Sequence, residues 1–386
     1  MQSSQPTRTL ELLERLIAHP TVVRTPNVEL MADVAEQLSA MGARVEVMPS
    51  TRPDAQNLHA VFGPADAEGA ILLSAHTDVV SVEGQPWTRD PFKLDVDAGR
   101  AYGRGSTDMK GFIAAALAAI EGFDRRRLRR PVELALSSDE EAGCVGVRPL
   151  LDSLAVLSSR PALVLVGEPT EMRVVDHHKG KAALRVTLRG RAAHSGLPHL
   201  GVNAVAYAGR LITELLELQD ELTRGPREET FLVPHSTVGA GPIRGGTALN
   251  IVPDACLLEI DIRCVPDVDP SILVARVEAI CGELEREMQL RAPECAVSVE
   301  QFAGYPGLRS SSAGELPQPL RELAASGIGG VDYGTEGGLY QQRLEVPVVV
   351  CGPGSMSDAH GPDESVALDQ LVRAEALITG LLHELC

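Results

Sequence analysis

The residues best equipped for chemistry stand where apolar runs give out. AILLSAHTDVV, from Ala70, runs into His76 and Asp78, and PVELALSSDEE, from Pro131, into Asp139, Glu140 and Glu141. PALVLVGEP, from Pro161, reaches Glu168, and VPVVVCGPGSMSDAH, from Val346, reaches His360. Asp108 stands in the glycine-rich GRGSTDMKG, just where a helical pattern begins. Two imidazoles and three carboxylates with no thiolate suit zinc, or cobalt and manganese. One carboxylate shared between two ions would make a two-metal site with the ions about 3.5–4 Å apart. The acidic run at 139–141 sharpens the expectation, because like charges at contact distance persist only if they are solvated or if something positive sits among them. Taken singly, each residue has an ordinary reading: a loop histidine, a solvated acidic turn, or a helix N-cap for Asp108. Their joint placement at strand ends is what sets them apart.

The elements that must position them follow from the pattern. The four apolar runs read as strands buried on both faces, and between them MKGFIAAALAAIEGF, from Met109, and VGVRPLLDSL, from Val145, read as helices. Alternating strand and helix predict a doubly wound α/β sheet, in which ligands bind outside the carboxyl ends of the strands. From about Lys179 the texture changes. KAALRVTLRG and ACLLEIDIRC alternate at period two, as half-exposed antiparallel strands do, with amphipathic helices after Gly201 and Asp269. The expected layout is a catalytic domain in two parts, 1–178 and 295–386, with an α+β unit inserted over 179–294.

Composition narrows the function classes. At 386 residues two domains are the natural expectation. A formal charge of −18 argues against a nucleic-acid partner, which needs a basic footprint. The basic run Arg125–Arg127 with Arg129 and Arg130 reads as a solvated face at a helix end. The longest apolar run, FIAAALAAI from Phe112, is about half of the roughly 20 residues a membrane span requires, so no membrane span is expected. The first twenty residues show an amphipathic Leu10, Leu13, Ile17 spacing and no secretion signal, and the seven cysteines contain no C-x-x-C pair. Reduced thiols in a cytoplasmic protein are expected.

SAHTDVV, YGRGSTDMKGF, SSDEEAG, GEPT and SDAHGPDE, in that order across nearly the whole chain, resemble the metal motifs of the M20 family of metallo-amidohydrolases and peptidases. The resemblance implies a mostly parallel mixed sheet with helices on both faces, of the zinc-peptidase kind, and an inserted ferredoxin-like lid and dimerisation domain. It implies two divalent ions, zinc with cobalt or manganese as substitutes, one held by His76 and Glu168, the other by Glu141 and His360, with Asp108 bridging. Asp78 would hydrogen-bond the second nitrogen of His76, and Glu140 would be the general base for water attack on an amide. His194, in GRAAHSG, resembles the family histidine that stabilises the oxyanion, often from the partner subunit of a homodimer. Asn250 and Arg263 resemble groups that bind the substrate carboxylate. Gly354, in GPGS, would offer backbone amides to the substrate. Glu336 matches members that deacetylate N2-acetyl-L-ornithine, where a negative charge would favour a cationic side chain. The small-molecule substrate expected is therefore an N-acyl amino acid. A desuccinylase, an aminoacylase, a dipeptidase, a two-metal phosphoesterase and a non-catalytic metal-binding homologue are the rival readings.

Overall fold

The computed structural model of the protein describes residues 7–64, 67–157, 160–310 and 316–386. The chain divides into two compact units. One comprises Met1–His177, Leu308–Gly330 and Thr335–Cys386; the other comprises His178–Gly307 and Val331–Gly334.

In the first unit the chain runs α1 (Thr7–Ile17), α2 (Val28–Ala40), β1 (Arg44–Pro49), β2 (Gln56–Phe62), β3 (Ile71–His76), β4 (Asp95–Asp97), β5 (Arg100–Tyr102), α3 (Lys110–Gly122), β6 (Val132–Ser137), α4 (Val147–Ala155), β7 (Leu163–Pro169) and β8 (Val175–His178). The second unit holds β9 (Gly180–Arg189), α5 (Ala204–Leu222), β10 (Thr237–Gly245), β11 (Ala255–Cys264), α6 (Pro270–Arg291) and β12 (Ala296–Tyr305). The chain closes with β13 (Leu308–Arg309), α7 (Gln318–Ala324), β14 (Gly329–Val331), α8 (Gly337–Leu344), β15 (Val348–Gly352), β16 (Ser365–Ala367) and α9 (Leu368–Glu384).

Among the described residues the large sheet has nine strands in the order β1-β2-β6-β3-β7-β15-β8-β13, with β14 paired to β8. Its centre, β6-β3-β7-β15, is parallel, and β2 and β8 flank that centre antiparallel. Every residue of β3, β6, β7 and β15 is buried, as expected of parallel strands covered on both faces. Helices α1, α2, α3, α7 and α9 share one apolar cluster with the sheet. Helices α4 and α8 pack on one another, with α4 against β6 and α8 against β7 and β15. Helix α3 is buried throughout Lys110–Ile120, and its alanines allow α1 and α9 to close over it. The basic run after α3 ends that helix: Arg125 donates from Nη1 to the Ile120 carbonyl at 2.8 Å. Leu13 and Ile17 of α1 are buried as their spacing predicts.

Gly167, one residue before Glu168, shows how closely α3 meets β7. A Cβ there would lie 2.1 Å from the Phe112 ring. Overpacking of this kind costs about 1–3 kcal/mol. Gly167→Ala is therefore expected to lower the denaturant-unfolding free energy by about that amount.

The second unit folds in the order β-α-β-β-α-β, with an antiparallel sheet ordered β10-β11-β9-β12. This is the ferredoxin-like split βαβ arrangement. Strands β9 and β11 alternate in burial, and the inward residues form one apolar cluster with α5 and α6. The boundary expected at 295 falls too early. Period-two alternation continues through CAVSVEQ, and β12 pairs with β9 over most of its length, so the unit closes after Gly307. No helix among the described residues is long and apolar enough to cross a membrane.

Candidate metal centre

Four elements of the first unit end at one place. The last residue of β3 is His76; β6 leads into the turn that holds Glu140 and Glu141; β7 bears Glu168 next to last; and Asp108 precedes α3. The loop after β15 returns with His360. His76 Nε2 lies 2.9 Å from Asp108 Oδ1 and 3.6 Å from Glu168 Oε1. His360 Nε2 lies 3.1 Å from Asp108 Oδ2 and 3.0 Å from Glu141 Oε1. Two groups of cation-binding donors result, His76–Asp108–Glu168 and Asp108–Glu141–His360, and they share the Asp108 carboxylate through its two oxygens. The donor set fits two divalent ions: five nitrogen and oxygen ligands, no sulfur, and one carboxylate able to bridge.

The electrostatics describe a site short of positive charge. Burial pushes the Glu140 carboxyl up to about 8, and the charges of Glu141 and Glu336 add to that. Glu168 is held well above the usual range by burial and then by the charge of Asp108. Burial alone would depress His76, but its hydrogen bond to the Asp108 carboxylate and the charges of Glu168 and Asp78 raise it well above normal. His360 is raised to about 10 by its hydrogen bonds to Asp108 and Glu141. Asp108, despite burial, is held well below the carboxylate range by the two histidines.

The surroundings fix this geometry from the backbone. The Asp78 carbonyl accepts a hydrogen bond from His76 Nδ1 at 2.9 Å. A carbonyl can only accept, so Nδ1 bears a proton, and Nε2 is the nitrogen turned to the carboxylates and the one a bound ion would take. The Asp78 carboxylate does not make the bond expected of it: it stands 3.6 Å from Nδ1. It accepts instead the backbone N–H groups of Glu140 and Glu141, at 3.1 and 3.0 Å, and so holds the acidic turn. Asp139 is not solvated. It is 2 % exposed, and it accepts the Arg24 amide at 2.7 Å and the Arg52 guanidinium at 3.1 Å. Cys144 donates from Sγ to Glu140 Oε1 at 3.1 Å, and Glu140 belongs to neither donor group.

The remaining expected residues fall elsewhere. Glu336, expected to meet a substrate's cationic side chain, is 2 % exposed at the start of α8, with its carboxyl pushed up to about 7 by burial. A carboxyl held partly protonated is a weaker partner for a cation. Gly354, expected to offer its amide, is buried against Thr107, and its N–H donates to Gln370 Oε1 at 2.7 Å. In the second unit, His194 and Asn250 come together: His194 bridges to Ile251, and the Ser195 amide donates to the Asn250 carbonyl at 2.9 Å. Arg263 is not with them. It lies near the far end of β11, ion-paired to Asp261 at 2.9 Å. Eight residues of strand separate it from Ala255, a distance of about 26 Å.

A central parallel sheet with helices on both faces, acids and imidazoles at its strand ends and an inserted ferredoxin-like unit define a hydrolase of the metallopeptidase type of fold. The family model of peptidase family M20/M25/M40 matches residues 72–384, and the chain belongs to that family. The fold is similar to that of the M20 family metallo-carboxypeptidase Sso-CP2 of Sulfolobus solfataricus, at 18% identity, with 97% of this chain and 98% of that one covered and a TM-score of 0.79. It is similar to the di-peptidase Dug1p of Saccharomyces cerevisiae, at 16% identity, 98% and 96% coverage and a TM-score of 0.76. It is also similar to the YXEP protein of Bacillus subtilis, a dinuclear metal binding peptidase, at 17% identity, 97% coverage of both chains and a TM-score of 0.65.

Proposed function

We propose that the protein hydrolyses the amide of an N-acyl amino acid, with N2-acetyl-L-ornithine as the first candidate, using two divalent ions and Glu140 as the general base. The observation that supports this most is the Asp108 carboxylate, shared between two donor groups with an uncoordinated Glu140 beside them. His76, Asp108 and Glu168 would hold one ion, and Asp108, Glu141 and His360 the other. Ions bound there would acidify a water and polarise the scissile carbonyl. Glu140, with Oε1 occupied by the Cys144 thiol, takes the water's proton and delivers it to the leaving amine. Asp78 holds the tautomer of His76 through its carbonyl and the angle of the acidic turn through its carboxylate. Among relatives of similar fold, Dug1p is a di-peptidase, and the burial of Glu336 removes one support for a cationic side chain. A dipeptide is therefore the second substrate reading. Seven free thiols support a cytoplasmic setting.

We assign His194 to the oxyanion and Asn250 and Arg263 to the substrate carboxylate, from different copies of the chain in a homodimer. The span of β11 between them supports this, since a small substrate cannot reach both ends within one unit. The edge strand β10, exposed from Gly239 to Gly245, offers backbone for pairing with a second copy. Mixing inactive His194→Ala and inactive Glu140→Ala proteins is expected to restore part of the activity as subunits exchange. No recovery despite verified exchange would rule out action across subunits.

A further inference from the structure

Three residues outside both donor groups, Glu364, Arg104 and Gln85, close a ring behind the His360 side of the centre. Glu364 Oε1 accepts the backbone N–H of Asp108 at 3.0 Å and that of Thr107 at 2.9 Å. Glu364 Oε2 accepts from Arg104 Nη1 at 2.6 Å, and both side chains of this pair are 1 % exposed. Arg104 Nη2 donates to Gln85 Oε1 at 2.7 Å, and the Arg104 guanidinium lies 5.0 Å from the centre of the Trp87 ring. Trp87 Nε1 donates to the same Gln85 oxygen at 2.9 Å. Gln85 Nε2 then donates to the His360 carbonyl at 2.8 Å. The ring is completed by the side chains of His360 and Asp108, 3.1 Å apart. One buried ion pair thus grips the backbone of Asp108 directly and, through one amide, the backbone of His360. Thr88 fastens the same loop by donating from its amide and hydroxyl to Asp363 at 2.9 and 2.7 Å.

We infer that Gln85 is a positioning residue that sets the affinity of the cation on the Asp108–Glu141–His360 side, with Arg104 and Glu364 as the fixed strut it works from. The inference rests on the two-ion reading above. His360 is the most exposed donor, its side chain 48% accessible, and its backbone takes the left-handed φ of 61°. Such a residue needs an external hold to keep its imidazole on Asp108 and Glu141. Gln85 supplies one with a single donated hydrogen bond. The other group, His76–Asp108–Glu168, has its histidine at the end of a buried strand and needs no such hold. The effect is therefore one-sided.

The strut itself is a poor place to test this, because breaking a buried ion pair threatens the fold. Gln85 is only half-buried. Gln85→Ala removes all three of its side-chain hydrogen bonds, and Gln85→Glu keeps an acceptor for Arg104 and Trp87 but cannot donate to His360. Zinc would be titrated calorimetrically into chelator-stripped protein, with the thermal midpoint of the stripped protein measured alongside. The wild type is expected to take two ions. Both variants are expected to keep one site unchanged and to weaken the other about 10–100-fold, and Gln85→Glu, which keeps the acceptor of the buried Arg104, to leave the stripped protein's midpoint where it was. Adding Glu168→Ala should leave only the weakened site. Two sites of wild-type affinity in Gln85→Ala, or a Gln85→Glu that binds like wild type, would overturn the role of Gln85 alone. Equal weakening of both sites with a lowered midpoint would reduce Gln85 to a structural residue. A wild type that takes fewer than two ions would remove the two-ion reading and this inference with it.

Discussion

Glu140→Gln is expected to bind two divalent ions as the wild type does and to lose about 10²–10⁴-fold in kcat, the range that a general acid–base group contributes. Glutamine keeps the size of the side chain and can still accept from the Cys144 thiol, so the turn held by Asp78 stays in place. What it loses is the ability to take a proton. Because Glu140 stands outside both donor groups, metal content separates this variant from a ligand variant. Metal analysis after gel filtration and kcat on the best substrate check the pair of outcomes together. Near-normal turnover would remove Glu140 from the proton path, and lost metal would make it a ligand.

Asp108→Ala should do the opposite and more. Its two oxygens face His76 and His360, 2.9 and 3.1 Å from their Nε2 atoms, so one substitution takes a donor from both groups. Stoichiometry is expected to fall from two ions to at most one, loosely held, with activity lost below the level of Glu140→Gln. Glu168→Ala, which belongs to one group only, should keep the Asp108–Glu141–His360 ion. The contrast matters because any ligand substitution weakens binding, whereas only the shared carboxylate weakens it on both sides. Two tightly bound ions in Asp108→Ala would place the bridge elsewhere.

Much of this centre was legible before the fold was known, for a physical reason. Parallel strands buried on both faces announce themselves as continuous apolar runs, and a titratable residue at the end of such a run has few other places to be. His76, Glu168, His360 and the turn after β6 stand out in that way, and Asp108 stands out in a glycine-rich stretch where a helical pattern begins. What the sequence concealed was the choice each group makes among partners distant along the chain. Arg52 reaches Asp139 across 87 positions and Arg104 reaches Glu364 across 260, and no local pattern records either pairing. The family resemblance placed the Asp78 side chain on His76, but a backbone carbonyl is nearer and leaves the carboxylate for the turn. Glu336 and Gly354 are expected to meet substrate, but the fold buries Glu336 at the start of α8 and Gly354 against Thr107. The boundary at 295 cut off β12, although its alternation continues that of the β9 strand it pairs with.

The most direct test of metal-dependent amide hydrolysis is amine release by chelated protein before and after zinc or cobalt is restored. The panel would be N2-acetyl-L-ornithine, N-succinyl-diaminopimelate, N-acetyl-methionine and a dipeptide. Release is expected only with metal present, and fastest from N2-acetyl-L-ornithine. Faster release from the dipeptide would keep the centre and change the substrate. No release from any of the four by protein that demonstrably holds two ions would contradict the assignment.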